Sequence, residues 1–214
     1  MNRGWFVLLL IVPTIVSAYD GSSSYKMGAF VSYNNAWEIK YNGTTTIGGN
    51  STSFDGSAIS EQAPGLGFSF EFRPHHRAGV EIGYEHAFER EISYDTINAG
   101  GTSSTTYYDS SRPTFTIDTF ILNSKLYITD EVYLFGGINR PQITIKNIKS
   151  NIKPKIGYQV GMGTKFAKNF AFELQYRSTN ASGSSDVSIN NTSYHVTYDN
   201  FGMAATSSAL IYYF

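Results

Sequence analysis

The chain has 214 residues, 16 Lys and Arg against 17 Asp and Glu, and no cysteine. That near-neutral balance points to neither a nucleic-acid partner nor an acidic substrate, and the lack of cysteine excludes a disulfide framework. Aromatic and charged residues each make up 15% of the chain, aromatic-rich and charge-poor beside the roughly 25% charged residues of ordinary soluble domains.

Residues 1–18 open with Arg3, continue as an apolar run from Trp5 to Val16, and close on the small-residue pattern Val16-Ser17-Ala18. A membrane-spanning helix needs roughly 20 apolar residues, so this shorter run reads as a secretory signal peptide cut after Ala18. Residues 19–214 then form one mature domain. Export without cysteine fits a bacterial envelope protein better than a eukaryotic secreted one.

Beyond residue 18 there is no helix-period segment, and short period-two segments take its place. The first sets Tyr25, Met27, Ala29, Val31 and Tyr33 on one face. The second alternates Leu66, Phe68, Phe70 and Phe72 with Gly65, Gly67, Ser69 and Glu71, and the third sets Ala78, Val80, Ile82 and Tyr84 against Gly79, Glu81, Gly83 and Glu85. In the fourth, Phe120, Leu122 and Leu126 oppose Asn123 and Lys125. The fifth, "VYLFGGIN", is apolar on both faces and its orientation stays open. The sixth places Ile156, Tyr158, Val160, Met162 and Phe166 against Gln159, Lys165 and glycines. The seventh places Phe170, Phe172, Leu174 and Tyr176 against Ala171, Glu173, Gln175 and Arg177, and the eighth runs from Phe201 to Phe214.

The connections alternate in length. Residues 73–77, 129–131 and 167–169 make tight turns, whereas 34–62, 87–112, 140–152 and 178–195 read as long loops rich in Gly, Ser, Thr and Asn. Eight antiparallel strands with all short turns at one end describe an all-β, up-and-down transmembrane barrel with periplasmic turns and outer loops. Only alternate residues need be apolar in such a strand, which is why no long apolar run is seen. Alternation of Ile143, Ile145 and Asn147 suggests that strands five and six continue as a ribbon above the membrane.

A Lys or Arg facing lipid near the midplane costs roughly 2–4 kcal/mol, so charges alternating with apolar residues must face the lumen. Lys26, Glu71, Glu81, Glu85, Lys125, Lys165, Glu173 and Arg177 are therefore expected to form an ion-pair and hydrogen-bond cluster in the periplasmic half. An eight-stranded interior is just wide enough to be filled by its own side chains. The alternative is a gated polar path for small ions.

With this architecture, "NSKLYI" before a tight turn, "VYLFGGIN" after it and a terminal "YYF", the chain resembles the small eight-stranded outer-membrane proteins of the OmpA transmembrane-domain, OmpX and opacity-protein type. The resemblance implies a Gram-negative outer-membrane protein, monomeric and without cofactor or metal, in contact with outer-membrane lipid and lipopolysaccharide. It also implies that Leu210, Tyr212 and Phe214 are read by the barrel-assembly machinery.

Some barrels of this size modify lipid A, which requires a nucleophile and a base. His75 and His76 lie in a tight turn, His86 ends a strand, and His195 sits near Ser193, Thr197 and Asp199; a triad needs convergent geometry, which spacing in a long loop does not establish. A structural or surface-interaction role, adhesin-like or envelope-stabilising and acting through the outer loops, is the leading expectation. A small pore and a lipid-A-modifying enzyme are the alternatives. Arg140, Lys146, Lys149, Lys153 and Lys155, with no acidic residue among them, are candidate contacts for lipopolysaccharide phosphates or another surface polyanion.

Overall fold

The computed structural model describes residues 24–47, 49–99, 102–107, 113–146, 149–189 and 192–214. The expected signal peptide and Asn147 lie outside them. The strands are β1 (Ser24–Asn34), β2 (Glu38–Ile47), β3 (Asn50–Ser60), β4 (Ala63–His75), β5 (Ala78–Ala99), β6 (Thr102–Tyr107), β7 (Thr114–Tyr127), β8 (Val132–Ile145), β9 (Lys149–Pro154), β10 (Gly157–Ala167), β11 (Phe170–Ile189) and β12 (Thr192–Tyr213). Pairing runs β1–β4–β5–β7–β8–β10–β11–β12 and returns to β1, antiparallel throughout, so eight strands close a ring. Closure leaves no unpaired edge, the condition for backbone groups in hydrocarbon. The chain ends on this seam, where the Phe214 amide donates to the Met27 carbonyl at 2.9 Å.

The outward face of the ring is apolar. Met27, Phe68, Ile82, Val160, Met162 and Leu210 are all exposed there, and such a continuous surface belongs in lipid rather than water. Aromatic side chains border it at the turn end, where Tyr25 stacks on Phe72 with centroids 4.9 Å apart and Phe170 meets Tyr212 at 5.1 Å. Tyr33, Tyr158 and Tyr176, with the half-exposed Tyr84, border the other edge. Girdles at both interfaces are the signature of a transmembrane barrel. The fifth segment, unoriented in the sequence, resolves as β8 with Val132 and Leu134 outward and Tyr133 and Phe135 buried in the lumen. Those two rings fit because Gly163 and Gly161 lie directly opposite them on β10; a Cβ at Gly163 would stand 2.3 Å from the Tyr133 ring.

The expected long loops are corrected by the structure: within the described residues they are mostly strand. β5 has 22 residues, about 70 Å of chain, far more than a tilted crossing of the ~25 Å apolar band requires. β1 and β4 end together at the pair Asn34–Ala63, and the β2–β3 hairpin then takes their place between β12 and β5. Trp37 and Ser60 stitch this corner, with Ser60 N donating to Trp37 O at 3.1 Å and Trp37 N to Ser60 Oγ at 3.0 Å. β9 lines up on β11 above β10, and β6 pairs with the top of β5. This upper sheet, the crown, encloses the main apolar core: Trp37, Ile39, Ala58, Phe115, Ile117 and Met203 among its buried residues.

Candidate functional site

The lumen is layered. Near the turns Lys125 is fully buried, with Nζ 3.0 Å from Glu173 Oε1, 3.5 Å from Glu71 Oε2 and in direct contact with Glu81. Tyr127 and Tyr133 donate their hydroxyls to Glu71 (2.5 Å) and Glu173 (2.7 Å), and Asn123 donates to Glu81 at 3.0 Å. Arg73 supplies a second cation, 3.3 Å from Glu71, with its guanidinium 3.4 Å from the centre of the Tyr127 ring.

Of the eight lumen residues expected in one cluster, the structure gathers Glu71, Glu81, Lys125 and Glu173. Lys165 and Lys26 instead place their ammonium groups over rings, Tyr127 at 4.4 Å and Tyr213 at 5.3 Å, at the mouth of the lumen. Glu85 and Arg177 form a separate pair higher up, 2.7 Å apart, where Ser32 and Asn34 also donate to Glu85 at 2.5 and 3.0 Å. The split follows from height along the strands, since Glu81 and Glu85 are four residues apart on β5. Arg73, Tyr127 and Tyr133 were missed in the sequence. The first looked like part of a turn, and the last belonged to the segment apolar on both faces.

Above the Glu85–Arg177 pair lies Arg90, 2% exposed, with no hydrogen-bond partner for its guanidinium among the described residues; it packs against Trp37 and Phe115, 5.8 Å from each ring centre. Over it the crown holds a cavity of about 300 Å³. Its wall across β12, β2, β3 and β5 is built in register. One layer is Met203–Ile39–Ala58–Asp95, the next Phe201–Tyr41–Gly56–Ile97, and the third brings Tyr198, Phe54 and Ala99 together around Gly43. Phe115, Ile143 and Ile145 from β7 and β8 close the far side. Asp95 is the single ionisable carboxyl in this lining, and the Tyr41 hydroxyl donates to it. Burial raises the Asp95 pKa, a pull only partly opposed by the Tyr41 bond and the Thr96 amide. Asp95 stands 17 residues beyond the β5 start, above the apolar belt.

At the surface, Arg140, Lys153 and Lys155 are exposed, and Lys149 has its backbone in β9 while its side chain lies outside the described residues. Lys146 is not free of acids as its sequence neighbours suggested, because β5 brings Glu89 into contact with it. Leu210, Tyr212 and Phe214 point outward, Tyr212 lying 5.1 Å from Phe170 and 5.4 Å from Phe214. His86 pairs with Asp118 at 2.8 Å and His195 with Asp186 at 2.6 Å rather than with Asp199; the Ser193 side chain lies outside the described residues. The rings of His75 and His76 are 4.0 Å apart. Among the described residues no group of three His, Cys, Asp or Glu side chains is arranged to hold a metal ion.

No family model and no curated protein matches the chain. Solved structures with a similar fold include the outer membrane protein OprG of Pseudomonas aeruginosa, at 12% identity and TM-score 0.45, covering 86% of this chain and 96% of that one. The outer membrane protein AlkL is similar at 16% identity and TM-score 0.47, over 89% and 92% of the two chains. Ail of Yersinia pestis, solved with the heparin analogue sucrose octasulfate, has 10% identity and TM-score 0.37 over 86% and 99%. These likenesses concern the fold alone. The closed ring of eight antiparallel strands, its apolar exterior and its aromatic girdles make the fold that of the small outer-membrane β-barrels.

Proposed function

We propose that the protein is a non-conducting barrel of a Gram-negative outer membrane, which holds its crown at the cell surface for interaction with envelope or external molecules and performs no catalysis. The turns face the periplasm and the crown faces outward. The observation that carries this reading is the filled lumen. Between the Lys125 cluster and the Glu85–Arg177 pair lies a void of only about 20 Å³, bordered by Ser69, Asn123 and Gln159, space for about one water. Planar-bilayer recordings of the refolded protein are expected to show no unitary steps. Discrete steps that scale with salt concentration would make it a small pore instead.

Export through residues 1–18 and recognition of Leu210, Tyr212 and Phe214 by the barrel-assembly machinery belong to the same reading. Deleting Phe214 is expected to slow membrane insertion, and normal insertion yield and speed in the truncated chain would contradict it. Exposed Arg140, Lys153 and Lys155 favour one class of surface contact, the phosphates of lipopolysaccharide or another polyanion. Replacing all three by Ser should lower lipopolysaccharide co-purification, and an unchanged ratio would remove that contact from the proposal.

A further inference from the structure

We propose that the crown cavity is a binding site for a small amphipathic amine, an apolar body ending in one ammonium group that meets the Asp95 carboxylate. At about 300 Å³ the cavity lies at the lower end of the range for small-molecule sites, and its walls are apolar with few convergent polar groups. Exposure rises along it, from Ile39 at 1% to Ile97 at 40%, so it opens away from the membrane half and is closed underneath by buried residues of the crown core.

Asp95 gives the site its chemistry. Its layer partners are Met203, Ile39 and Ala58, and an apolar residue there would complete the wall at lower cost. A rule-breaking polar residue inside an otherwise consistent core marks function more often than fold. The Tyr41 phenol satisfies part of the carboxylate, which can accept at about four lone-pair positions. A neutral donor leaves the desolvated negative charge uncompensated, whereas an ammonium group compensates it through a short, charge-assisted hydrogen bond. The nearby cation does not reverse this preference. Arg90 lies beneath Trp37 and Phe115 and is not part of the cavity lining, so the charge that the wall presents is negative.

The chain's methionines provide the test. Met203 lines the cavity at 2% exposure, whereas Met27 and Met162 face lipid at 61% and 52%. In methyl-labelled full-length protein in detergent, phenylbutylamine is expected to shift the Met203 methyl resonance saturably, while Met27 and Met162 report only partitioning into the micelle. Phenylbutanol should bind more weakly, and phenylbutyrate more weakly still. Asp95→Asn should weaken the amine about tenfold and leave the alcohol unchanged, as expected for losing a hydrogen bond to a charged group. Ala58→Phe, which fills the wall, should abolish the saturable shift of all three. Heat-modifiable migration on gels checks that each variant is folded. The proposal is overturned if phenylbutyrate binds as tightly as the amine, if Met203 shifts linearly along with Met27 and Met162, or if Asp95→Asn leaves amine affinity unchanged.

Discussion

Below Arg90 the strands carry Phe68, Phe70 and Leu210 outward and Glu71, Lys125 and Glu173 inward; in the crown they carry Lys40 and Thr144 outward and Ile39, Phe115 and Met203 inward. Single strands make the reversal within their own length. Along the inner face of β5, Glu81 and Glu85 give way to Ala87 and Ile92, with a bulge between Ala87 and Arg90. On β7, Lys125 and Asn123 give way to Ile117 and Phe115. Backbone pairing continues across the change because ladder hydrogen bonds are indifferent to which face is apolar. Solvent decides that: hydrocarbon outside demands an apolar exterior and tolerates a paired polar interior, while water outside restores an apolar core.

The sharpest break in this comparison is Lys125→Met. It leaves Glu71, Glu81 and Glu173 buried without their shared ammonium, and removing one partner of a buried ion pair costs about 3–5 kcal/mol. Urea titration in detergent should show a loss of that size, and a loss below about 1 kcal/mol would mean that Arg73 alone holds the cluster. Next, Phe70→Lys on the lipid face should lower stability by about 2–4 kcal/mol in lipid vesicles. Thr144→Lys, outward on the crown, should stay within about 0.5 kcal/mol. Equal effects would erase the distinction between the two exteriors.

Met203→Ala should cost about 2 kcal/mol, the low end for a core truncation because it borders space already empty. Its effect should be local, with faster amide exchange in β2 and β3 and unchanged protection in β10 and β11.

The smallest effect concerns pH. The folded-state pKa of Asp95 is raised, so folding takes up protons between the ordinary carboxylate value and the raised one. The crown should therefore gain stability as pH falls through that interval and lose it as pH rises back through it, with no further change above the raised value. Asp95→Asn should flatten this dependence in amide exchange of β2 and β3. A dependence that persists in the variant would assign it to another group.

Much of the membrane half was legible because lipid leaves a strict mark: every outward position of Tyr25 to Tyr33, Leu66 to Phe72 and Phe170 to Tyr176 is apolar or aromatic, although the inward positions include Phe30 and Ala171. The polar cluster was legible only as a list of inward charges. Which of them meet depends on strand stagger, and that separated Glu85 and Arg177 from Lys125 and moved Lys26 and Lys165 onto rings. The crown reads as loop in the sequence because its outward face meets water, leaving half the signal. Trp37, Ile39 and Tyr41 do alternate, as do Asp95, Ile97 and Ala99, but among Gly, Ser and Thr that pattern is easily taken for turn composition.

Local period and the cost of a charge in hydrocarbon were enough to read the number of ring strands, the position of the tight turns and the lipid-facing residues of every ring strand except β8. The extension of the ring into a crown, the replacement of β1 and β4 there by β2 and β3, and the place of Asp95 in an apolar wall are visible only in the folded chain. Those features come from pairing between residues far apart in the chain, Ile39 with Met203 and Ala58 with Asp95, and no local pattern encodes a partner at that distance.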